Sequence, residues 1–126
     1  MPLVRIDLLA GKPDAYRRAV GNVVYEALIG IGVPDDDRFQ VVNEREPGNF
    51  FFSESYLDIH RSADVVFVQI TLNEGRTIDA KRSLYLAIAE GLRDVVGLRM
   101  EDVFISLVEV KKENWSFGNG LAQYAV

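Results

Sequence analysis

Two stretches of this chain repeat one another in pattern, and no other feature limits its possible folds so strongly. Leu3-Val4-Arg5-Ile6-Asp7-Leu8-Leu9-Ala10-Gly11-Lys12 runs alongside Phe67-Val68-Gln69-Ile70-Thr71-Leu72-Asn73-Glu74-Gly75-Arg76 at an offset of about 64 residues. Gly32-Val33-Pro34-Asp35-Asp36-Asp37-Arg38-Phe39 runs alongside Gly97-Leu98-Arg99-Met100-Glu101-Asp102-Val103-Phe104 at about 65. One inserted residue accounts for the drift. A pattern used twice implies one supersecondary unit used twice, with each copy burying its apolar face against the other.

The unit reads strand, helix, strand. In the first copy Tyr16, Ala19, Val20, Val23, Val24, Ala27 and Leu28 share one face of a 3.6-residue period, with Arg17, Arg18, Asn22 and Glu26 opposite. Pro13 suits the first helical turn, and Asp14 favours the positive end of the helix dipole. In the second copy Thr77 is an N-cap, and Leu84, Ala87, Ile88, Gly91, Leu92 and Val95 form the matching stripe. Gly32 and Gly97 are expected to stop the two helices. The fold class that follows is α/β of the α+β kind, with two tandem β-α-β repeats forming a four-stranded mixed sheet and two helices on one face. It is organised as a single domain over 1–126: repeat one over about 1–46, a connecting loop over about 47–63, and repeat two with its tail over about 64–126.

Val65-Val66-Phe67-Val68 and Val103-Phe104-Ile105 are apolar at both parities, which predicts strands covered on both faces. Two helices cover one face only, so the other is expected to meet a second copy, giving a homo-oligomer. Phe50-Phe51-Phe52, after the turn-rich Glu44–Asn49 stretch, is a short strand or an anchoring insertion. Trp115-Ser116-Phe117-Gly118-Asn119-Gly120 reads as a tail that docks on the body or on a neighbouring subunit.

Composition removes several classes of function. The net charge of −5, with both signs mixed along the chain, argues against nucleic acid, which needs a clustered basic surface. No cysteine is present, which excludes disulfides, thiolate nucleophiles and thiolate metal sites. The single His60 cannot build a His-based metal centre or a Ser/His/Asp relay, and Asp35-Asp36-Asp37 lacks the spacing of a calcium loop. No apolar run approaches the roughly 18 residues that span a bilayer. A cytoplasmic protein with no cofactor, no metal and no membrane partner is the expectation.

Pro2 stands directly before the first strand. Removal of Met1 would leave it with a free secondary amine, which burial or nearby cations would bring toward neutrality. Such an amine takes a proton from carbon next to a carbonyl, or, kept protonated, acts as an acid. Without that processing Pro2 is a compatible first residue of a strand and nothing more.

The start Pro2-Leu3, the segments Gly32-Val33-Pro34 and Asp37-Arg38-Phe39-Gln40, the pair Arg61-Ser62, Gly75-Arg76 at the second helix and the tail Trp115-Ser116-Phe117-Gly118 together resemble the tautomerase superfamily of amino-terminal proline enzymes. Among its branches the chain is most similar to malonate semialdehyde decarboxylase. The resemblance implies a homotrimer with Pro2 as the catalytic amine, Asp37 activating or positioning water, and Arg76 holding a substrate carboxylate. Trp115 and Phe117 would form an apolar wall that dries the site. The second carboxylate-binding arginine of the decarboxylase falls on Glu74, which puts that substrate in doubt.

Each residue has a plainer alternative. Asp37 has the turn residue Asp102 as its repeat counterpart, Arg76 has Lys12, and Trp115 and Phe117 are also suited to a core or an interface. The implied activity is keto-enol tautomerisation of a small 2-keto acid. The alternatives are decarboxylation or hydration of a small 3-oxo or unsaturated acid with cationic Pro2, and a non-catalytic ferredoxin-like module that binds small ligands.

Overall fold

The computed structural model describes residues 2–125. Strand β1 (Leu3–Leu9) leads through helix α1 (Asp14–Ile29) to β2 (Gln40–Arg45); after a hairpin of β3 (Ser55–Tyr56) and β4 (Ile59–His60), β5 (Val66–Asn73) leads through α2 (Ile78–Val96) to β6 (Val103–Val110). The sheet order is β2-β1-β5-β6. Strands β1 and β2 are parallel, β5 and β6 are parallel, and β1 meets β5 antiparallel with Val4 opposite Ile70 and Ile6 opposite Val68. The chain is therefore two β-α-β units joined back to back through their first strands.

This connectivity rejects the ferredoxin-like alternative. A split β-α-β unit has a foreign strand between its two strands. Here each unit's strands are hydrogen-bonded neighbours.

Alternation explains the core. Val4, Ile6 and Leu8 of β1 and Val66, Val68, Ile70 and Leu72 of β5 point to the helix side, where Val20, Val24, Leu28, Leu84, Ile88 and Leu92 meet them. The helices approach so closely at Gly91 that a Cβ there would lie 2.6 Å from Val23 Cγ1. Thr77 caps α2 by accepting from the Ala80 amide at 3.1 Å, and Gly97 ends that helix in the left-handed region at φ 73°.

Two details differ from expectation. The C-cap of α1 is Gly30 in right-handed geometry, while Gly32 takes its positive φ in the turn beyond, because the amides of Ile31, Gly32 and Val33 all fold back on α1 carbonyls. Pro13 is the N-cap rather than a first-turn residue.

The other sheet face is not uniformly apolar. Phe67 is half-buried by the chain itself: Phe50, anchored by burial, packs on it at 4.9 Å between ring centroids. The central positions Arg5 and Gln69 are exposed and polar, whereas Phe104 remains 45% exposed. The double-sided apolar pattern thus reports partly on an intramolecular cover. No helix among the described residues is long and apolar enough to cross a membrane.

Candidate active site

The pairings bring one end of the sheet together. The start of β1 lies beside the start of β2, where the Val4 amide donates to the Phe39 carbonyl at 3.0 Å, and beside the end of β5, where Leu3 faces Thr71. Strand β6 runs with β5, so the tail after Val110 leaves from the same end. Pro2 is buried there and precedes a central strand; its missing amide hydrogen lies outside the ladder and costs the sheet nothing.

Pro2, Leu3, Phe39, Trp115, Ser116 and Phe117 line a pocket of about 220 Å³. Beyond Phe117 the chain turns back on itself, because Gly118, Asn119 and Gly120 all take positive φ, a tight reversal that suits glycine and asparagine. Trp115 and Phe117 stack with centroids 5.5 Å apart, and Tyr124 closes edge-on against Phe117 at 4.7 Å. Gln123 fixes the reversal by accepting from the Phe117 amide and donating to the Gly118 carbonyl, each at 2.9 Å.

Asn73 joins two of the predicted residues. Its side-chain oxygen accepts from Trp115 Nε1 at 2.8 Å, and its carbonyl oxygen accepts from Arg76 Nη1 at 3.4 Å. Composition and motif spacing gave no sign of this role; only strand register places residue 73 at the junction. Asn73→Leu should break both the indole hydrogen bond and the local packing. The emission of Trp115, the sole tryptophan, should shift to the red, with about 1 kcal/mol lost in chemical denaturation; unchanged emission would count against this tether.

Arg76 is half-buried at the entrance to α2. Nearby, Glu109 is held below the ordinary carboxylate range, first by its hydrogen bond with Lys81 and then by that cation's charge, the Gly75 amide and the charge of Arg76. Asp37, half-buried, lies in the turn that leads to Phe39, its amide donating to the Pro34 carbonyl at 3.1 Å. Tyr25 holds this turn by donating to the Asp35 carbonyl at 2.6 Å. Asp37 and Arg76 thus stand at the Pro2 end of the sheet but do not line the pocket, whereas Pro2, Trp115 and Phe117 do. Glu74 is exposed in a separate groove with Lys111, Lys112, Glu113 and Tyr124. Leu3, Phe39 and Ser116 are lining residues that sequence reasoning passed over.

His60 is exposed, and its carbonyl accepts from Arg99 Nη2 at 3.0 Å, which is a structural placement.

Known proteins are similar to this chain in sequence and in fold. Residues 37–118 match one family and residues 2–58 another, each described as "Tautomerase enzyme". The chain is 38% identical over 124 residues to the probable tautomerase YusQ of Bacillus subtilis (strain 168), covering 98% of both, and 30% identical to YrdN of the same organism, covering 98% of this chain and 96% of that one. Among solved structures, FG41 malonate semialdehyde decarboxylase inhibited by 3-bromopropiolate superposes with a TM-score of 0.90 at 36% identity, covering 97% of this chain and 93% of that one. A malonate semialdehyde decarboxylase studied for its decarboxylase and hydratase activities superposes with a TM-score of 0.90 at 30% identity, covering 97% and 95%. A buried proline at residue 2, an aromatic-walled pocket around it and a doubled β-α-β sheet accompany these matches, and the chain belongs to the tautomerase family.

Proposed function

We propose that the chain catalyses keto-enol tautomerisation of a small 2-keto acid, with the amine of Pro2, freed by loss of Met1, moving the proton. The observation that carries this is the position of Pro2 at one wall of a pocket otherwise lined by Leu3, Phe39, Trp115, Ser116 and Phe117. Apolar walls disfavour a charged amine and bring it toward the neutral form that abstracts a proton from carbon. Arg76 offers the carboxylate a two-pronged donor at the same end of the sheet, and Asp37 stands ready to orient water or an enol.

Phenylpyruvate tests the chemistry. Tautomerisation followed by ultraviolet absorbance should fall as pH drops through neutrality, because the protonated amine no longer accepts a proton. Absence of activity at every pH removes the tautomerase assignment.

The similarity to two malonate semialdehyde decarboxylases supports a second chemistry, decarboxylation or hydration of a small 3-oxo or unsaturated acid, with cationic Pro2 polarising the carbonyl and Asp37 managing water. Its pH profile runs the other way, with activity lost as Pro2 deprotonates. Glu74 weakens this alternative by removing one cation from the loop.

We further infer a homotrimer. A fused 4-OT described as a symmetric trimer superposes with a TM-score of 0.80, and Val41 and Val108 leave apolar surface on the uncovered sheet face. Light scattering should give about three times the 14.1 kDa chain mass; a monomer at micromolar concentration would refute it.

A further inference from the structure

The repeat that builds the Pro2 pocket builds a second chamber at the opposite end of the open sheet face. Leu3, Phe39 and Phe117 line the first pocket. Phe67, Phe104 and Phe52, at offsets of about 64 to 65 residues from them, line a cavity of about 390 Å³ together with Ser53, Tyr56 and Arg61. The antiparallel junction of β1 and β5 sets repeat-equivalent positions at opposite ends. Even the wall support is repeated: Phe50 occupies the position of Trp115 and meets Phe52 at 6.0 Å between centroids as Trp115 meets Phe117 at 5.5 Å, while Phe67 meets Phe104 edge-on at 5.2 Å.

The chemistry at the equivalent positions differs. Pro2 is matched by Val66, a buried residue inside the chain whose nitrogen is an amide. Arg76 is matched by Lys12, already neutralised by Asp64 at 2.9 Å. Asp37 is matched by Asp102, fully buried and committed to the amide and hydroxyl of Ser62, both at 2.6 Å.

That clamp fixes the residue beside Ser62, which is Arg61. The Arg61 guanidinium lies 5.7 Å from the Phe104 ring centroid, and its Nε is buried with no hydrogen-bond partner among the described residues. An unbonded charged donor in an aromatic chamber calls for an anion with an apolar body.

We propose that this chamber is a second, non-catalytic ligand site for a small planar carboxylate with an aryl or unsaturated body. The carboxylate sits on Arg61, and the body lies among Phe52, Tyr56, Phe67 and Phe104. With no amine at Val66, the ligand is bound and left chemically unchanged. The site does not require Pro2 to be catalytic.

Trans-cinnamate is a suitable probe. Equilibrium dialysis with the whole protein should count two equivalents per chain. One quenches Trp115, which lies only in the first pocket. The other is silent in fluorescence and shifts the backbone amide resonances of Arg61, Phe67 and Phe104. Arg61→Gln should weaken the silent equivalent at least tenfold and leave the quenching one, since charge-assisted hydrogen bonds are the strong ones. Phe104→Leu, which keeps an apolar side chain on β6, should weaken it severalfold. Amide spectra of both variants establish that they are folded. A single equivalent that quenches Trp115, whether because the chamber is closed or because another copy covers it, overturns the proposal, as does a silent equivalent indifferent to both substitutions. A silent equivalent without a quenching one supports this chamber and counts against ligand binding at Pro2.

Discussion

Pro2→Ala is expected to lower kcat/KM for phenylpyruvate by on the order of 10²- to 10⁴-fold, the usual contribution of a positioned general base. Alanine also ends in an amine, but a primary one without the ring that fixes the nitrogen's direction at φ near −65°. The fold should be indifferent, because residue 2 precedes the hydrogen-bonded ladder of β1. A form that retains Met1 should lose as much activity with the proline itself intact, since its nitrogen is then an amide with no basic lone pair. Steady-state kinetics on both forms, with intact mass to establish the N-terminal residue, separates the amine from the side chain. Pro2→Ala within twofold of the parent would exclude Pro2 as the base.

Asp102→Ala should destabilise the chain by roughly 3 kcal/mol in chemical denaturation, the largest effect on folding foreseen here. The carboxylate is fully buried, takes two short hydrogen bonds from Ser62 and has Arg99 Nη1 at 3.9 Å. Its removal strands the Ser62 amide and hydroxyl next to a new cavity and releases the segment that enters β5. The cost arises from unsatisfied donors more than from lost attraction. Asp102→Asn keeps an acceptor for one of the two bonds and should cost less than alanine. A change under about 1 kcal/mol for alanine would mean that Ser62 is held by other means.

The pair Asp37 and Asp102 marks how far the sequence reaches. The repeat equates them, and both do occupy turns that lead into the second strand of their units. Their environments are nonetheless different: Asp102 is clamped by a serine from the connecting segment, whereas Asp37 is half-buried beside the Pro2 end of the sheet. Periodicity carries no information about which distant residue arrives at a given turn. The same holds for Asn73, unremarkable in the loop sequence, which register alone sets under Trp115 Nε1.

The sequence by itself determined the two strand-helix-strand units, their apolar stripes and the cap at Thr77, because period, propensity and capping are local properties of neighbouring residues. It also determined, through its likeness to the tautomerase superfamily, which residues to watch. Tertiary structure decided the rest. Joining the units antiparallel through β1 and β5 gathers Pro2, Phe39 and the Trp115–Phe117 tail at one end and sends their repeat counterparts to the other. Which end holds Pro2, which holds an arginine whose Nε has no hydrogen-bond partner among the described residues, and which acidic residue is consumed in a structural clamp are long-range facts. They depend on pairing between residues tens of positions apart, a distance over which no local rule acts.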